Sequence, residues 1–109
     1  MYITTEQNGG RLTVKLDGKL DAVTALELDK VMANSLDGVT ELTIDLKNLH
    51  YIASAGLRIL LKTQKRMQLQ GQMLVVNIQR DVRTIMEMTG FATLLTLEEE
   101  EHKPFSVSF

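Results

Sequence analysis

Segments with strand-like hydrophobic spacing alternate along this sequence with segments of helical spacing, and their order constrains its fold more than any other feature. Polar and apolar residues alternate in Arg11–Asp17 and again in Thr40–Leu46, and a period of two predicts a half-buried strand. The turn signal Asn8-Gly9-Gly10 follows the short β-prone segment Tyr2–Glu6, so the chain is predicted to begin with a hairpin. Gly18 is expected to close the second strand of that hairpin.

Between and after these strands, apolar residues recur at helical spacing and predict three helices. We expect the helices at Ala22–Leu36, Ser54–Gln70 and Val82–Thr89, with Met88 as a candidate for the buried face of the third. A side chain that can accept backbone N–H bonds stands at or beside the start of each, and a glycine follows each. The candidate caps are Asp21, Ser54 and Asp81, and the glycines are Gly38, Gly71 and Gly90.

The remaining segments complete an alternation of strands with helices. Met73–Ile78 is a largely apolar run, typical of a central strand covered on both faces. Leu94–Leu97 is expected to be a last short strand, and Lys47–Ala53 a loop. The order β-β-α-β-α-β-α-β predicts one α/β domain at residues 1–97. Its mostly parallel sheet of four to five strands would have an antiparallel N-terminal edge and about three packing helices, followed by an acidic C-terminal tail at residues 98–109.

The composition excludes several classes of protein. A length of 109 residues suits one domain, and 12 basic against 14 acidic residues give a net charge of −2, so the chain lacks the positive charge of a direct nucleic-acid binder. It has no cysteine, which excludes disulfides, thiol catalysis and cysteine-ligated metals. The sequence has no long apolar run and does not begin like a signal peptide, so we expect a cytoplasmic protein without a membrane segment.

No motif for catalysis or cofactor binding is found in the sequence. The two histidines, His50 and His102, stand alone without further ligands at helical or strand spacing, so no metal site is expected. The glycine-rich phosphate loops and the nucleophile elbow of serine hydrolases are absent from the sequence. We therefore expect a protein with no catalytic residues and no cofactor, and not an enzyme.

The small residues Ala53-Ser54-Ala55-Gly56 form the most informative stretch, because they open a predicted helix shortly after a strand. The free N–H groups and partial positive charge of a helix N-terminus suit a phosphate. Phosphorylation of Ser54 would add about −1.5 to −2 charge there, and the small side chains would let another protein approach the backbone closely. Alternatively, Ser54 is simply the N-cap and the small residues pack beneath the sheet.

Together with its surroundings, Ile44–Leu46 and Tyr51–Leu61, this stretch resembles the signature of the STAS domain family. Gly18–Ala25 is similar to the start of that family's first helix, and Val82–Phe91 to its third helix and the step after it. The resemblance covers about residues 2–97. The family comprises bacterial anti-sigma factor antagonists and the cytoplasmic domains of sulphate transporters.

The resemblance implies a protein-interaction switch. In such a switch, an unphosphorylated antagonist binds a kinase-like anti-sigma factor and so frees a sigma factor for RNA polymerase. The kinase then phosphorylates a serine at the start of the helix after the third strand, the complex dissociates, and a phosphatase resets the antagonist. The residues that this resemblance and the flanking loop assign to partner binding are Asp21, Thr24, His50, Tyr51, Ala53, Ser54, Ala55, Gly56, Leu57 and Arg58.

Simpler roles stay open for part of this set and for its surroundings. Helix capping alone would explain Asp21 and Thr24, and Tyr51 could equally anchor a partner or cover the edge of the core. The second helix also carries a basic set, which would either meet an acidic partner or form an ordinary solvated helix face. This basic set consists of Arg58, Lys62, Lys65 and Arg66.

The sequence departs from the family pattern at the phosphorylation site. Well-studied members read Asp-Ser-Ser-Gly, with the second serine accepting phosphate, whereas Ala53 takes the acidic position here and Ala55 the acceptor position. Ser54 is the candidate phosphoacceptor, although one residue turns a helical side chain by about 100°. Three alternatives follow: Ser54 accepts phosphate, the chain binds its partner without phosphoregulation, or it is a STAS scaffold outside sigma control, such as an accessory subunit of a transport or signalling complex.

The C-terminal tail offers a further contact. Phe105, Val107 and Phe109 alternate with serines, a pattern that would allow the tail to pair with a sheet edge in the same chain or in a second one. Disorder is the alternative at a terminus. We expect a monomer or a weak homodimer.

Overall fold

The computed structural model describes residues 1–98, so the tail residues Phe105, Val107 and Phe109 lie outside the described part of the chain. Within residues 1–98, no helix has both the length and the apolar character needed to cross a bilayer. The elements in chain order are β1 (Tyr2–Asn8), β2 (Arg11–Leu20), α1 (Ala22–Ser35), β3 (Glu41–Ile52), α2 (Ser54–Gln68), β4 (Gln72–Val76), α3 (Arg80–Met88) and α4 (Phe91–Leu94).

The four strands form one sheet in the order β1-β2-β3-β4. β1 pairs antiparallel with β2 around the predicted glycine turn, and β2, β3 and β4 run parallel. Parallel neighbours need crossover connections, and α1 and α2 supply them. The predicted α/β domain with an antiparallel N-terminal edge is therefore confirmed.

The core lies between one face of this sheet and the helices. In β2, Leu12, Val14 and Leu16 are buried, whereas the alternate residues Arg11 and Lys15 are exposed. Such alternation is expected where only one face of a sheet is covered. The predicted buried stripe of the first helix is confirmed, because all four of its residues are buried: Ala25, Leu28, Met32 and Leu36.

The predicted loop at Lys47–Ala53 is wrong, because β3 continues as a strand to Ile52. Its pairing with β2 shifts register twice, first where Lys15–Asp45 is followed by Asp17–Asn48. A bulge of this kind inserts extra residues into one strand and breaks the period-two pattern. The Asp45 carboxylate accepts the Lys47 N–H at 2.9 Å, so a local side-chain bond supports the irregular backbone.

The second strand also runs further than predicted. Gly18 does not close β2, which continues to Leu20 and pairs there with Ile52. Gly18 has a φ of +117°, a conformation that glycine adopts at little cost, and the pairing with β3 shifts register directly after it. The ends of β2 and β3 therefore lie side by side beyond the last residue of β4.

β4 is an edge strand in the described sheet rather than a central one. Met73 and Val75 are buried, but Leu74 between them is 39% exposed, so only one face of β4 is covered. The predicted last strand at Leu94–Leu97 is also wrong: α4 ends at Leu94, and Leu97 forms a single parallel bridge with Val75.

The third helix begins slightly earlier than predicted. Gln79 is its N-cap, without a side-chain cap bond, and Asp81 lies in the first turn instead of capping it. A carboxylate in the first turn still favours the helix electrostatically. Val82 and Met86 are buried as expected, whereas Met88 at the end of the helix is 81% exposed.

Candidate functional site

A backbone hydrogen bond brings the starts of α1 and α2 together. The Ala53 N–H donates to the Leu20 carbonyl oxygen at 2.9 Å, directly before α2 begins at Ser54. Asp21, which follows Leu20, is the N-cap of α1. The two helix N-termini therefore lie next to each other, beyond the carboxyl ends of β2 and β3, where ligand sites of parallel sheets commonly lie.

At the start of α1, Asp21 and Thr24 form a capping box. The Asp21 carboxylate accepts the backbone N–H groups of Val23 at 3.0 Å and Thr24 at 2.9 Å. In return, the Thr24 hydroxyl accepts the Asp21 N–H at 2.8 Å. The N-cap prediction for Asp21 is confirmed.

These bonds also set the charge state of the cap. They hold the pKa of Asp21 below its usual 3.8, mainly because the backbone N–H of Thr24, and then its hydroxyl, stabilise the charged form of the carboxylate. The Asp21 carboxylate, which lies beside the start of α2, therefore stays charged to a lower pH than an ordinary aspartate does.

The start of α2 has a different arrangement from the one predicted. The N-cap is Ala53, in an extended conformation, and no side chain caps the helix. Ser54 is the first helical residue and is exposed, so the prediction that its side chain is the N-cap is wrong. The first-turn N–H groups of α2 are therefore left to solvent or to a partner.

Two of the small or apolar residues in this turn face inward. Gly56 and Leu57 are buried, and a Cβ added at Gly56 would lie 2.5 Å from Leu20 Cγ. Gly56 thus serves close packing of α2 on β2, which is the alternative explanation for the small residues. Ala53 and Ala55 are partly exposed, so they are the small side chains that remain within reach of a partner.

His50 and Tyr51 lie near the end of β3, not in a loop. Both are exposed; Tyr51 is 45% exposed and pairs in register with Lys19 of β2. The two residues therefore stand on the strand that leads directly into the start of α2. Tyr51 is partly covered by the protein while a substantial part of its ring is open to contact.

The basic set of α2 divides into two halves. Lys62 pairs with Asp29 of α1 at 3.0 Å, and Arg66 pairs with Asp37 at 3.0 Å. Arg58 and Lys65 are exposed and have no ion-pair partner within residues 1–98. Arg58 is the member nearest the helix start, one turn after Ser54.

Sequence reasoning missed two apolar residues near the site. Val23 is 69% exposed and Leu26 is 64% exposed, and both lie in the first two turns of α1. They are off the buried stripe of that helix, which is the signal that could have identified them. Exposed apolar side chains beside a cluster of accessible polar groups mark a surface suited to protein contact.

The site offers contact chemistry and no metal ligation. Among residues 1–98, no group of three or more acidic or histidine side chains is arranged to hold a metal ion. What the site provides is an exposed hydroxyl, open helix N–H groups, one cation, one aromatic ring and two apolar side chains. These are groups that bind a protein surface or a phosphate.

Comparison with known proteins agrees with this architecture. The STAS domain family profile matches residues 2–103. The chain is 32% identical over 96 residues to BtrV of Bordetella bronchiseptica, which is named as an anti-sigma factor antagonist, and the match spans 86% of this chain and 83% of BtrV. It is 28% identical to the anti-sigma-B factor antagonist of Staphylococcus aureus, over 79% of this chain and 82% of that one.

A solved structure shares the fold across nearly its whole length. The crystal structure of an anti-sigma factor antagonist from Mycobacterium paratuberculosis superposes with a TM-score of 0.79 at 25% identity, covering 96% of this chain and 91% of that one. The family match and the shared fold both span most of the chain. This chain is a member of the STAS domain family.

Proposed function

We propose that this chain is an anti-sigma factor antagonist, which binds a kinase-like anti-sigma factor and thereby releases a sigma factor for transcription. The observation that carries the proposal is the identity to named relatives, 32% to BtrV over 86% of this chain and 28% to the anti-sigma-B factor antagonist over 79%. The relatives are matched over 83% and 82% of their own length, so the proposal concerns the domain as a whole.

The partner would bind where the two helices begin. Ser54 and Arg58 present the polar part of this docking surface, Val23 and Leu26 the apolar part, and Tyr51 an aromatic ring at its border. Tyrosine and arginine are the residue types that most often dominate binding energy at interfaces. The interior position of Gly56 and Leu57 gives them a different role, which is to hold α2 in place beneath the docking surface.

Ser54 is the proposed phosphoacceptor. Its position at the first residue of α2 would place the added charge at the positive end of the helix. Arg58 lies four residues later, a spacing at which side chains of one helix meet, so its guanidinium can pair with the phosphate. Ala55 has no hydroxyl, which leaves Ser54 as the one acceptor in the first turn of the helix.

A phosphate at Ser54 would act as an off-switch through desolvation and charge. It adds about −1.5 to −2 charge on a surface that the partner covers, close to the fixed charge of Asp21. Each 1.4 kcal/mol of lost binding energy weakens an affinity about tenfold, so a modest penalty would dissociate the complex. A phosphatase would then restore the binding form.

The test is affinity capture from a lysate of the source organism, with the intact mass of the bait measured with and without ATP. We expect recovery of a kinase-like anti-sigma factor and a gain of one phosphate that Ser54→Ala abolishes. Recovery of the same partner with no mass gain would keep the antagonist role and overturn phosphoregulation at Ser54. Recovery of transporter subunits without an anti-sigma factor would contradict the proposal.

A matched variant distinguishes the loss of the phosphoacceptor hydroxyl from a disturbed fold. Thr93 is an exposed residue of α4, and its hydroxyl donates to the Gly90 carbonyl at 2.8 Å. Thr93→Ala removes a hydroxyl as Ser54→Ala does, and it is expected to keep both the partner and the mass gain. Loss of phosphate in both variants would point to a disturbed fold instead of a lost acceptor.

A further inference from the structure

The outer edge of β1 is a regular strand edge that the described chain leaves open. β1 pairs with β2 through seven consecutive residues without a register shift, unlike the β2–β3 pair, which shifts twice. Within residues 1–98, no other strand lies along its second edge. A regular edge of this kind carries backbone N–H and C=O groups that are ready to pair with another strand.

At the opposite edge of the sheet, the C-terminal segment pairs with one residue of β4, Val75. The Val75 N–H donates to the Thr96 carbonyl at 3.0 Å, and the Glu98 N–H donates to the Val75 carbonyl at 2.9 Å. Gln64 of α2 fixes this C-terminal segment, since its side-chain oxygen accepts the Thr96 N–H at 2.6 Å. Within residues 1–98, the C-terminal segment thus pairs with β4 at Val75, whereas no strand pairs with the outer edge of β1.

β1 also lacks the usual devices that prevent edge pairing. It contains no proline and no bulge, and its one ionised side chain, Glu6, is paired with Lys15 of β2 at 3.2 Å. The other six residues are uncharged, and Tyr2 at the start of the strand is 78% exposed. Natural edge strands are normally protected by unpaired charges, proline or irregular backbone.

From this contrast we propose that β1 binds a second copy of the same chain, antiparallel, to form a continuous eight-stranded sheet. Asn8 and Arg11 flank the two-residue turn, and in such hairpins the two flanking residues exchange backbone hydrogen bonds. Along β1, the backbone N–H and C=O groups therefore point alternately towards β2 and away from it, and every second residue directs them outward. These are Ile3, Thr5 and Gln7.

The antiparallel register that pairs all three of these residues has its two-fold axis at Thr5. Thr5 then faces its own copy, Ile3 faces the partner's Gln7, and Glu6 faces the partner's Thr4. No two charges of the same sign are directly opposed, which would disfavour pairing. Because the two-fold contact uses β1 of both chains, it closes as a dimer and does not grow into a fibre. This dimer is independent of the proposed switch, because it uses neither helix start.

Cross-linking tests the geometry directly. The chain has no cysteine, so Thr5→Cys introduces a single thiol at the proposed two-fold axis. The two copies of residue 5 would form a hydrogen-bonded pair, whose Cα atoms lie about 5.5 Å apart, a separation within the range of a disulfide. Under mild oxidation we expect a disulfide-linked dimer, formed much faster than by Lys65→Cys, whose thiol would stand on the exposed side of α2. Equal cross-linking rates for the two variants would overturn the proposal.

A second measurement uses the unmodified chain. Amide hydrogen exchange is recorded at several protein concentrations, together with the mass in solution by sedimentation. We expect the mass to rise towards twice that of the chain, and protection of Ile3, Thr5 and Gln7 to rise with it, while the Thr4 and Glu6 amides, bonded to β2, stay unchanged. A constant monomer mass, or protection at these amides that does not depend on concentration, would mean that no second copy covers the edge.

Discussion

The α-carbon of Gly56 packs directly against the side chain of Leu20, so closely that a Cβ at position 56 would lie 2.5 Å from Leu20 Cγ and 2.8 Å from its Cδ2. Leu20 is fully buried and cannot swing into solvent. Gly56→Ala is therefore expected to destabilise the domain by about 1–3 kcal/mol through overpacking. Urea denaturation measures the free energy of unfolding. The control is Ser54→Ala, an exposed change in the same turn, which is expected to alter that free energy by less than about 0.5 kcal/mol. Equal stability of the two variants would show that α2 does not depend on this contact.

Gln64 fastens the C-terminal segment to α2. Although polar, it is only 5% exposed; its side-chain amide donates to the Leu94 carbonyl at 2.6 Å, and its oxygen accepts the Thr96 N–H at 2.6 Å. Gln64→Leu keeps the size but leaves both backbone groups unpaired, so we expect a loss of about 1–3 kcal/mol. Hydrogen exchange at Thr96 should accelerate as well.

A neighbouring glutamine provides the control for that experiment. Gln68 is exposed, one turn further along the same helix, and Gln68→Leu is expected to change the free energy of unfolding by less than about 0.5 kcal/mol. If Gln64→Leu were equally mild and left Thr96 exchange unchanged, the two hydrogen bonds would not be holding the segment.

Asp21 makes the stability of the domain depend on pH in acid. Its pKa is lower in the folded chain than the usual 3.8 because Thr24 stabilises the carboxylate. The stabilisation is therefore fully present above the unfolded pKa and is lost as the pH falls through the lower folded pKa. Asp21→Asn retains an oxygen that can accept the cap bonds but does not titrate. We expect the urea midpoint of the wild type to exceed that of this variant at neutral pH, and the difference to shrink as the pH falls below 3.8 and through the lower folded pKa. A difference that stays constant would contradict this origin.

Much of the fold could be predicted from the sequence because regular spacing reports regular structure. The buried stripe of α1 and the capping role of Asp21 follow from helical periodicity and from the chemistry of a carboxylate before a helix. The extension of β3 could not be predicted, because the bulge after Asp45 interrupts the alternation that identifies a strand. A central strand and an edge strand with one exposed apolar residue, such as Leu74, have nearly the same local pattern.

The candidate site, like the fold, could be predicted only in part. The sequence identifies the stretch around Ser54, but it does not distinguish an N-cap from the first helical residue, and the structure gives the cap to Ala53. Helix boundaries are commonly uncertain by one or two residues. The contacts of Gly56 with Leu20 and of Ala53 with Leu20 join segments more than thirty positions apart, which local patterns do not report.

The most direct test of the proposed antagonist is the affinity of its captured anti-sigma factor for two charge-reversal variants of α2. Arg58 and Lys65 are both exposed, and seven residues place them on the same side of the helix, roughly 10 Å apart along it. Arg58→Glu lies in the docking surface, and Lys65→Glu is its matched control. Titration calorimetry should show binding weakened at least about tenfold by Arg58→Glu and by less than about twofold by Lys65→Glu. Unchanged binding by Arg58→Glu, or an equal loss in both variants, would contradict a docking surface at the start of α2.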